Sequence, residues 1–205
     1  INNMKNLSVM WDTGHGSTIN GQYQTLGKRS PNWDNGVLYE GVANRWIVNK
    51  TITAMDYERL PYYHISPELE DTSLTVRKNR ANQIYARNKN SYGISIHFNG
   101  GRGTGWEIFT SPGETKSDYI ANEFIEAFQD NMPIKARLGG TKFLSKDKEA
   151  NYSILRRTNA PFILIECGFM DNPIDYAHIW DPAFQNLIAE NLLKGIKNVN
   201  KKYGK

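Results

Sequence analysis

Only one cysteine, Cys167, occurs in the 205 residues, so no intrachain disulfide can form and nothing marks an oxidising compartment. No apolar run approaches the length of a bilayer span, and no membrane partner is expected. The opening INNMKNLSVM lacks a charged segment followed by a long apolar one, so no signal peptide is expected in this chain. The first residue is Ile1 rather than Met, which leaves open a domain of a longer protein or a complete single-domain protein. Internal repeats, low-complexity tracts and proline-rich linkers are also missing. What is present is a globular balance of 39% hydrophobic and 22% charged residues, enough chain for one domain with a real core. A formal charge of +4 would suit an anionic polymer, nucleic acid included. The basic residues are scattered, however, as on an ordinary solvated surface, so nucleic acid is not an expected partner and a monomer is the expected state.

Apolar runs alternate with helical stripes along the chain. Residues 7–11 read as a buried strand ending in glycines, and the polar stretch 17–36 follows with the turn signals NG, SPN and DNG. Residues 38–55 read as a helix with Val42, Ala43, Trp46 and Ile47 on one stripe. A strand over 60–65 and a second helix from Asp71 through Arg87, with candidate caps at its front, come next. Strands over 92–96 and 106–110 flank the loop NGGRGTG, residues 117–128 are amphipathic, and 162–165 is a fully apolar strand. Phe184, Leu187, Ile188, Leu192, Ile196 and Val199 trace a closing helix. This order implies an α/β domain whose mostly parallel, twisted sheet carries helices on both faces. Ligands of such sheets sit at the carboxyl ends of the strands. His15, His97 and Glu166 each stand just after an apolar strand, so the three should meet at one sheet edge.

The glycines of GHGST lack the lysine of a P-loop and the spacing of a dinucleotide fingerprint, and GGRGTG precedes a strand rather than a helix. Neither is a nucleotide site. Ser95 and His97 share one face of their strand, and a buried histidine needs partners for its nitrogens. Glu166 follows four large apolar residues, where an ionised carboxylate must be paired, protonated or beside a cation. A salt bridge to Arg156 or Arg157 would serve. Two histidines with a carboxylate also suit zinc, for which three protein ligands and a water make a catalytic site. Glu166 is then the third ligand, or it is the base acting on that water. In the second case another carboxylate is needed, and Glu40 opens the helix after the His15 loop, where the helix dipole alone would favour an acid. Asp12, His64, Asp171 and His178 remain further players, His178 having the look of a structural residue in its helix.

DTGHG, the glutamate opening the next helix, SIHFN and LRRTNAPFILIECGFMDN occur here in that order. Together they resemble the zinc-dependent N-acetylmuramoyl-L-alanine amidases of the amidase type 3 family, peptidoglycan hydrolases of bacteria and phages. SLTVRKNRAN, with Arg77 and Asn82, and the closing DPAFQNLIAENLLKGI are similar to further family segments. The resemblance implies one catalytic domain over residues 1–205 with its core at about 7–199, acting on the bacterial cell wall as an endolysin or autolysin does. It implies zinc ligands at His15, Glu40 and His97, Glu166 as the catalytic carboxylate, and muramyl peptide as the substrate. Asn99 and Asn172 match family asparagines that hold loops or contact substrate. Thr13 stands where the family has proline and Ser17 where it has glycine, and the stretch between His15 and Glu40 is longer than usual, with Asp34 the nearest substitute for Glu40. Segments 17–36 and 99–105 should flank the metal and form the peptide groove, with Gly16 leaving room for substrate. Two other classes fit parts of this pattern. A zinc carboxypeptidase would need the H-x-x-E pair that the chain lacks, and an inactive wall-binding module would bind peptidoglycan without cutting it.

Overall fold

The computed structural model describes residues 6–139 and 146–204. Positions 1–5 of the opening INNMKNLSVM, on which the signal-peptide expectation partly rests, lie outside them. In chain order the elements are β1 (Ser8–Asp12), β2 (Thr18–Ile19), β3 (Gln22–Tyr23), β4 (Arg29–Trp33), β5 (Gly36–Tyr39) and α1 (Glu40–Tyr57). Then come β6 (Tyr62–His64), α2 (Leu74–Arg87), β7 (Ser91–Asn99), β8 (Glu107–Thr110) and α3 (Lys116–Gln129). The chain closes with β9 (Lys148–Glu149), α4 (Ser153–Arg156), β10 (Phe162–Phe169), α5 (Pro173–Trp180) and α6 (Pro182–Tyr203).

Six strands form one sheet in the order β6-β1-β7-β10-β8-β9. Strands β6, β1, β7 and β10 run parallel, and β8 lies antiparallel to β10, so the sheet is mostly parallel as its sequence pattern implies. The polar stretch 17–36 is not one loop. It folds into two short antiparallel ribbons, β2–β3 and β4–β5, the second closed by the DNG turn with Gly36 at φ 90°. Leu38 belongs to β5, and α1 starts at Glu40. Helix starts elsewhere follow side-chain chemistry. Ser73 caps α2, Thr115 and Asp118 form a capping box on α3, and Asn172 and Asp181 cap α5 and α6 ahead of Pro173 and Pro182. Asn172 therefore holds a helix end.

Alternation along the strands divides the buried apolar side chains into two layers. Val9, Trp11, Ile94, Ile96, Ile163 and Ile165 point into the larger layer, shared with α1, α3, α5 and α6. Met10, Phe162 and Leu164 point into the smaller layer with Ile65, Ala81 of α2 and Ile154 and Leu155 of α4. Asp12, Ser95, His97 and Glu166 continue this second face toward the strand ends. The four-residue α4 covers little of it. An uncovered, polar end of one sheet face is what remains.

Gly93 shows how tightly the smaller layer is packed. A Cβ there would lie 2.0 Å from the Phe162 ring, its register partner on β10. Gly93→Ala should cost about 1–3 kcal/mol through overpacking. Thermal or denaturant unfolding of the variant checks this, and an unchanged midpoint would contradict the packing described.

Candidate metal centre

The loop after β1 carries the first histidine. Gly14 has φ 29° and His15 φ 59°, a left-handed turn that costs a non-glycine residue energy. Gly14 is required for a second reason, since a Cβ would sit 2.4 Å from His97 Cε1. Gly16 departs from expectation. The place of its missing side chain is filled by Gln24 Cβ and the Asp71 backbone, at 2.7 and 2.8 Å, and is not open to a substrate. Helix α1 fixes the turn from beneath: Asn44 Nδ2 donates to the Gly14 carbonyl at 3.0 Å, and Arg45 Nη1 donates to the His15 carbonyl at 2.9 Å. Neither residue stood out in the sequence. Their signal was the spacing, four and five residues after Glu40 on the same helix.

Glu40 is buried at the first turn of α1, and its Oε1 is approached by both imidazoles. His97 Nδ1 lies 2.8 Å away and His15 Nε2 3.3 Å away. One donor atom from each of His15, Glu40 and His97 falls within 4.8 Å of the others. Burial would raise the Glu40 pKa, but hydrogen bonds and charge from His15 and His97 outweigh it and hold the carboxyl at about 2. An anion between two imidazoles can hold a cation. Asp34, the substitute, is exposed in the turn between β4 and β5.

His97 and Glu166 do not end their strands. Strand β7 runs on to Asn99 and β10 to Phe169, and the two residues are register partners. Glu166 is half-buried, its Oε2 is shut off from solvent, and that atom has no hydrogen-bond partner among the described residues. Among the described residues it forms no ion pair to Arg156 or Arg157, and Arg156 turns instead to Asn151. Burial pushes the Glu166 pKa up to about 8, with His97 pulling it down and Glu40 and Glu107 adding to the rise. Glu107, opposite Glu166 on β8, is by contrast fully matched: it pairs with Arg137 and with Lys148 at 2.8 Å and accepts from Asn99 at 3.1 Å. Arg137 and Lys148 thus go to Glu107, and Glu166, which faces the groove, forms no ion pair among the described residues.

That groove has a volume of about 880 Å³ and is lined by His15, Glu40, His97 and Glu166 together. Thr25, Lys28 and Arg29 from the 17–36 segment form one wall, and Asn99 and Gly100 belong to another, as expected for both flanking segments. The second wall is pinned by carboxylates. Asp171 Oδ2 accepts from the amides of Gly101 and Arg102 at 2.7 and 2.9 Å, and Asp175 accepts from Gly105 and from the Thr104 hydroxyl, each at 2.8 Å. Asp171 therefore acts on the loop. Asn82 joins α2 to the segment before β10 through Asn159 and Arg157. His64 stays outside the cluster, its pKa lowered by burial and by Arg45, and His178 of α5 packs on Phe184 of α6.

A carboxyl raised from 4.5 to about 8 stabilises the fold below pH ~4.5, and that contribution is lost as pH rises through 8. Metal-free protein should therefore lose roughly 3–4 kcal/mol between pH 5 and 8 from this group, and Glu166→Gln should flatten the slope. Urea unfolding at a series of pH values, with chelator present, measures both. Parallel slopes for the two proteins would show that Glu166 is not so perturbed.

Comparison with known proteins agrees with this geometry. A family model described as N-acetylmuramoyl-L-alanine amidase matches residues 9–198. The chain is 29% identical over 203 residues to N-acetylmuramoyl-L-alanine amidase CwlM of Bacillus licheniformis, covering 93% of this chain and 67% of that protein. It is 25% identical over 147 residues to the probable cell wall amidase LytH of Staphylococcus aureus, covering 69% of this chain and 48% of that one. The crystal structure of an N-acetylmuramoyl-L-alanine amidase from Clostridium difficile 630 superimposes with a TM-score of 0.79 at 23% identity, over 98% of this chain and 100% of that one. The catalytic domain of CwlV from Bacillus (Paenibacillus) polymyxa var. colistinus gives 0.74 at 20% identity, over 94% and 97%. At such identities the superpositions speak for the fold.

Proposed function

The chain belongs to the N-acetylmuramoyl-L-alanine amidase family, and from that premise we propose that it is a zinc-dependent hydrolase of the amide joining N-acetylmuramic acid to the L-alanine of the stem peptide. The observation that carries the reading is the meeting of His15, Glu40 and His97 within 4.8 Å beside an unpaired, buried carboxyl oxygen of Glu166 in one groove. We read residues 1–205 as one catalytic domain, with peptidoglycan as its polymeric substrate.

The donor set fits zinc. Two imidazole nitrogens and one carboxylate are borderline-soft and hard ligands in the number a catalytic zinc site uses, and the fourth side opens to the groove. A calcium or magnesium site would be built from oxygens. Bound there, zinc would supply Lewis acidity, bringing the ionisation of water toward pH ~7 and favouring negative charge on the lactyl carbonyl oxygen. The remaining chemistry belongs to Glu166. Burial, with Glu40 and Glu107 nearby, raises its proton affinity toward that of a base at neutral pH, and its carboxyl, which faces the groove, is free to take the attacking water's proton. The same carboxyl can return that proton to the alanine nitrogen as the C–N bond breaks. Glu107 cannot share this role, since Arg137, Lys148 and Asn99 occupy its oxygens.

Groove walls from residues 17–36 and 99–105 would hold the stem peptide, with Lys28 and Arg29 offering positive charge to its carboxylates. The site of action is the bacterial wall, outside the cytoplasm, and no helix among the described residues is long and apolar enough to cross a membrane.

Glu166→Gln should lower turnover of purified peptidoglycan by roughly 10²–10⁴-fold while leaving bound metal unchanged. His15→Ala and His97→Ala should lose the metal, and chelation of the native protein should abolish release of new L-alanine amino termini. Mass spectrometry of the digest with parallel metal analysis reads both effects. Unaltered cleavage by Glu166→Gln, or cleavage at another bond, would defeat the proposal.

A further inference from the structure

Asp12 is 1% exposed, yet its carboxylate lies too far back in the face to be one of the three clustered donors. Three buried groups converge on it. Its Oδ1 accepts from the Ser66 hydroxyl at 2.8 Å and from Arg77 Nη1 at 3.2 Å, and its Oδ2 accepts from the Ser95 hydroxyl at 2.7 Å. The Ser95 oxygen in turn lies 3.1 Å from His97 Nε2. Each contact follows from the sheet: Asp12 and Ser95 are register partners on β1 and β7, and Ser95 and His97 are two residues apart on one face. Burial works against an ionised Asp12, but Arg77, His97, Ser95 and Ser66 more than offset it and hold its pKa below the usual carboxylate range.

Counting hydrogens fixes the direction of the chain. An ionised carboxylate only accepts, so the single Ser95 hydroxyl hydrogen goes to Asp12. Ser95 then has only lone pairs to offer His97, so Nε2 must carry the ring hydrogen. Nδ1 is then the nitrogen left to a cation: with none bound it donates to Glu40 Oε1 at 2.8 Å, and with one bound the neutral ring would offer its Nδ1 lone pair.

We propose that Asp12 and Ser95 are positioning residues of the metal centre, a buried carboxylate–hydroxyl relay that sets the His97 tautomer so that Nδ1 faces the cation. The relay rests on the metal reading of the triad and extends it outward by two residues. Arg77 anchors it and reaches the other histidine as well. Its Nη2 pairs with Asp71 at 2.9 Å, Asp71 accepts from Thr25 at 2.8 Å, and the Thr25 oxygen accepts from the amide of Gly16 at 2.8 Å, next to His15. One guanidinium thus ties the supports of both imidazoles together.

Asp12→Asn tests the hydrogen count. The Asn carbonyl must face the donors Ser66 and Arg77, which turns its amide toward Ser95 and makes Ser95 an acceptor there. The Ser95 hydrogen is then free to point at Nε2, which favours the Nδ1–H form and competes with metal. Zinc affinity, measured by chelator competition, should fall 10–100-fold in Asp12→Asn and in Ser95→Ala, the range usual for lost outer supports of metal-bound histidine. Long-range proton–nitrogen NMR of the zinc-loaded native chain, labelled in histidine, should show a hydrogen on Nε2 of His97 and metal on Nδ1. This second readout needs no variant to fold. Metal on Nε2, or native zinc affinity in both variants with melting curves showing them folded, would overturn the relay while leaving the metal centre standing. A native chain that binds no zinc would remove both.

Discussion

The register of three adjacent parallel strands is the constraint on which the site depends. Strands β1, β7 and β10 are neighbours, and Asp12 pairs with Ser95 while His97 pairs with Glu166. Because side chains alternate faces, a slip of one residue in β10 would send Glu166 into the larger apolar layer and bring Ile165 to the groove. The apolar residues Ile94, Ile96, Ile163 and Ile165 prevent that slip, since all four are fully buried on the opposite face. Burial of the core and alignment of the chemistry are thus one and the same register.

The polar face is tolerable because charge on it is allocated in pairs. Asp12 takes Arg77, Glu107 takes Arg137 and Lys148, and Glu40 takes two imidazoles. Glu166 alone takes none among the described residues, with an oxygen that burial has stripped of water. A carboxyl left this way holds its proton more tightly, the property that the proposed role of Glu166 as a base near neutral pH calls for. The pairing of its neighbours keeps Arg77, Arg137 and Lys148 away from it.

The parts of the groove outside the sheet rely on backbone anchoring. The two ribbons in residues 17–36 are tied to the body by the Tyr23 hydroxyl at Gly41 and by Thr25 at Asp71. The loop at 100–105 is held by Asp171 and Asp175 from the segment that follows β10. Both walls are therefore fixed to elements that also carry or support site residues, so groove shape and site geometry are coupled.

Much of this was legible in the chain itself. Period and composition identified the α/β order, the central strands and the long closing helix, because burial writes a local pattern into sequence. The chemistry of His15, His97 and Glu166 could be suspected from polar residues placed after apolar runs, although the runs continue through the latter two. Glu40 could be named only with the help of family resemblance, since an acid at a helix start has a local explanation of its own. Tertiary structure alone decided the rest. That Gly16 accommodates Gln24 and Asp71, that cations go to Glu107 and not to Glu166, and that Ser95 joins Asp12 to His97 are all contacts between residues distant in sequence. Periodicity says which face a side chain lies on. Only the packing of strands and loops against one another says which partner it meets there.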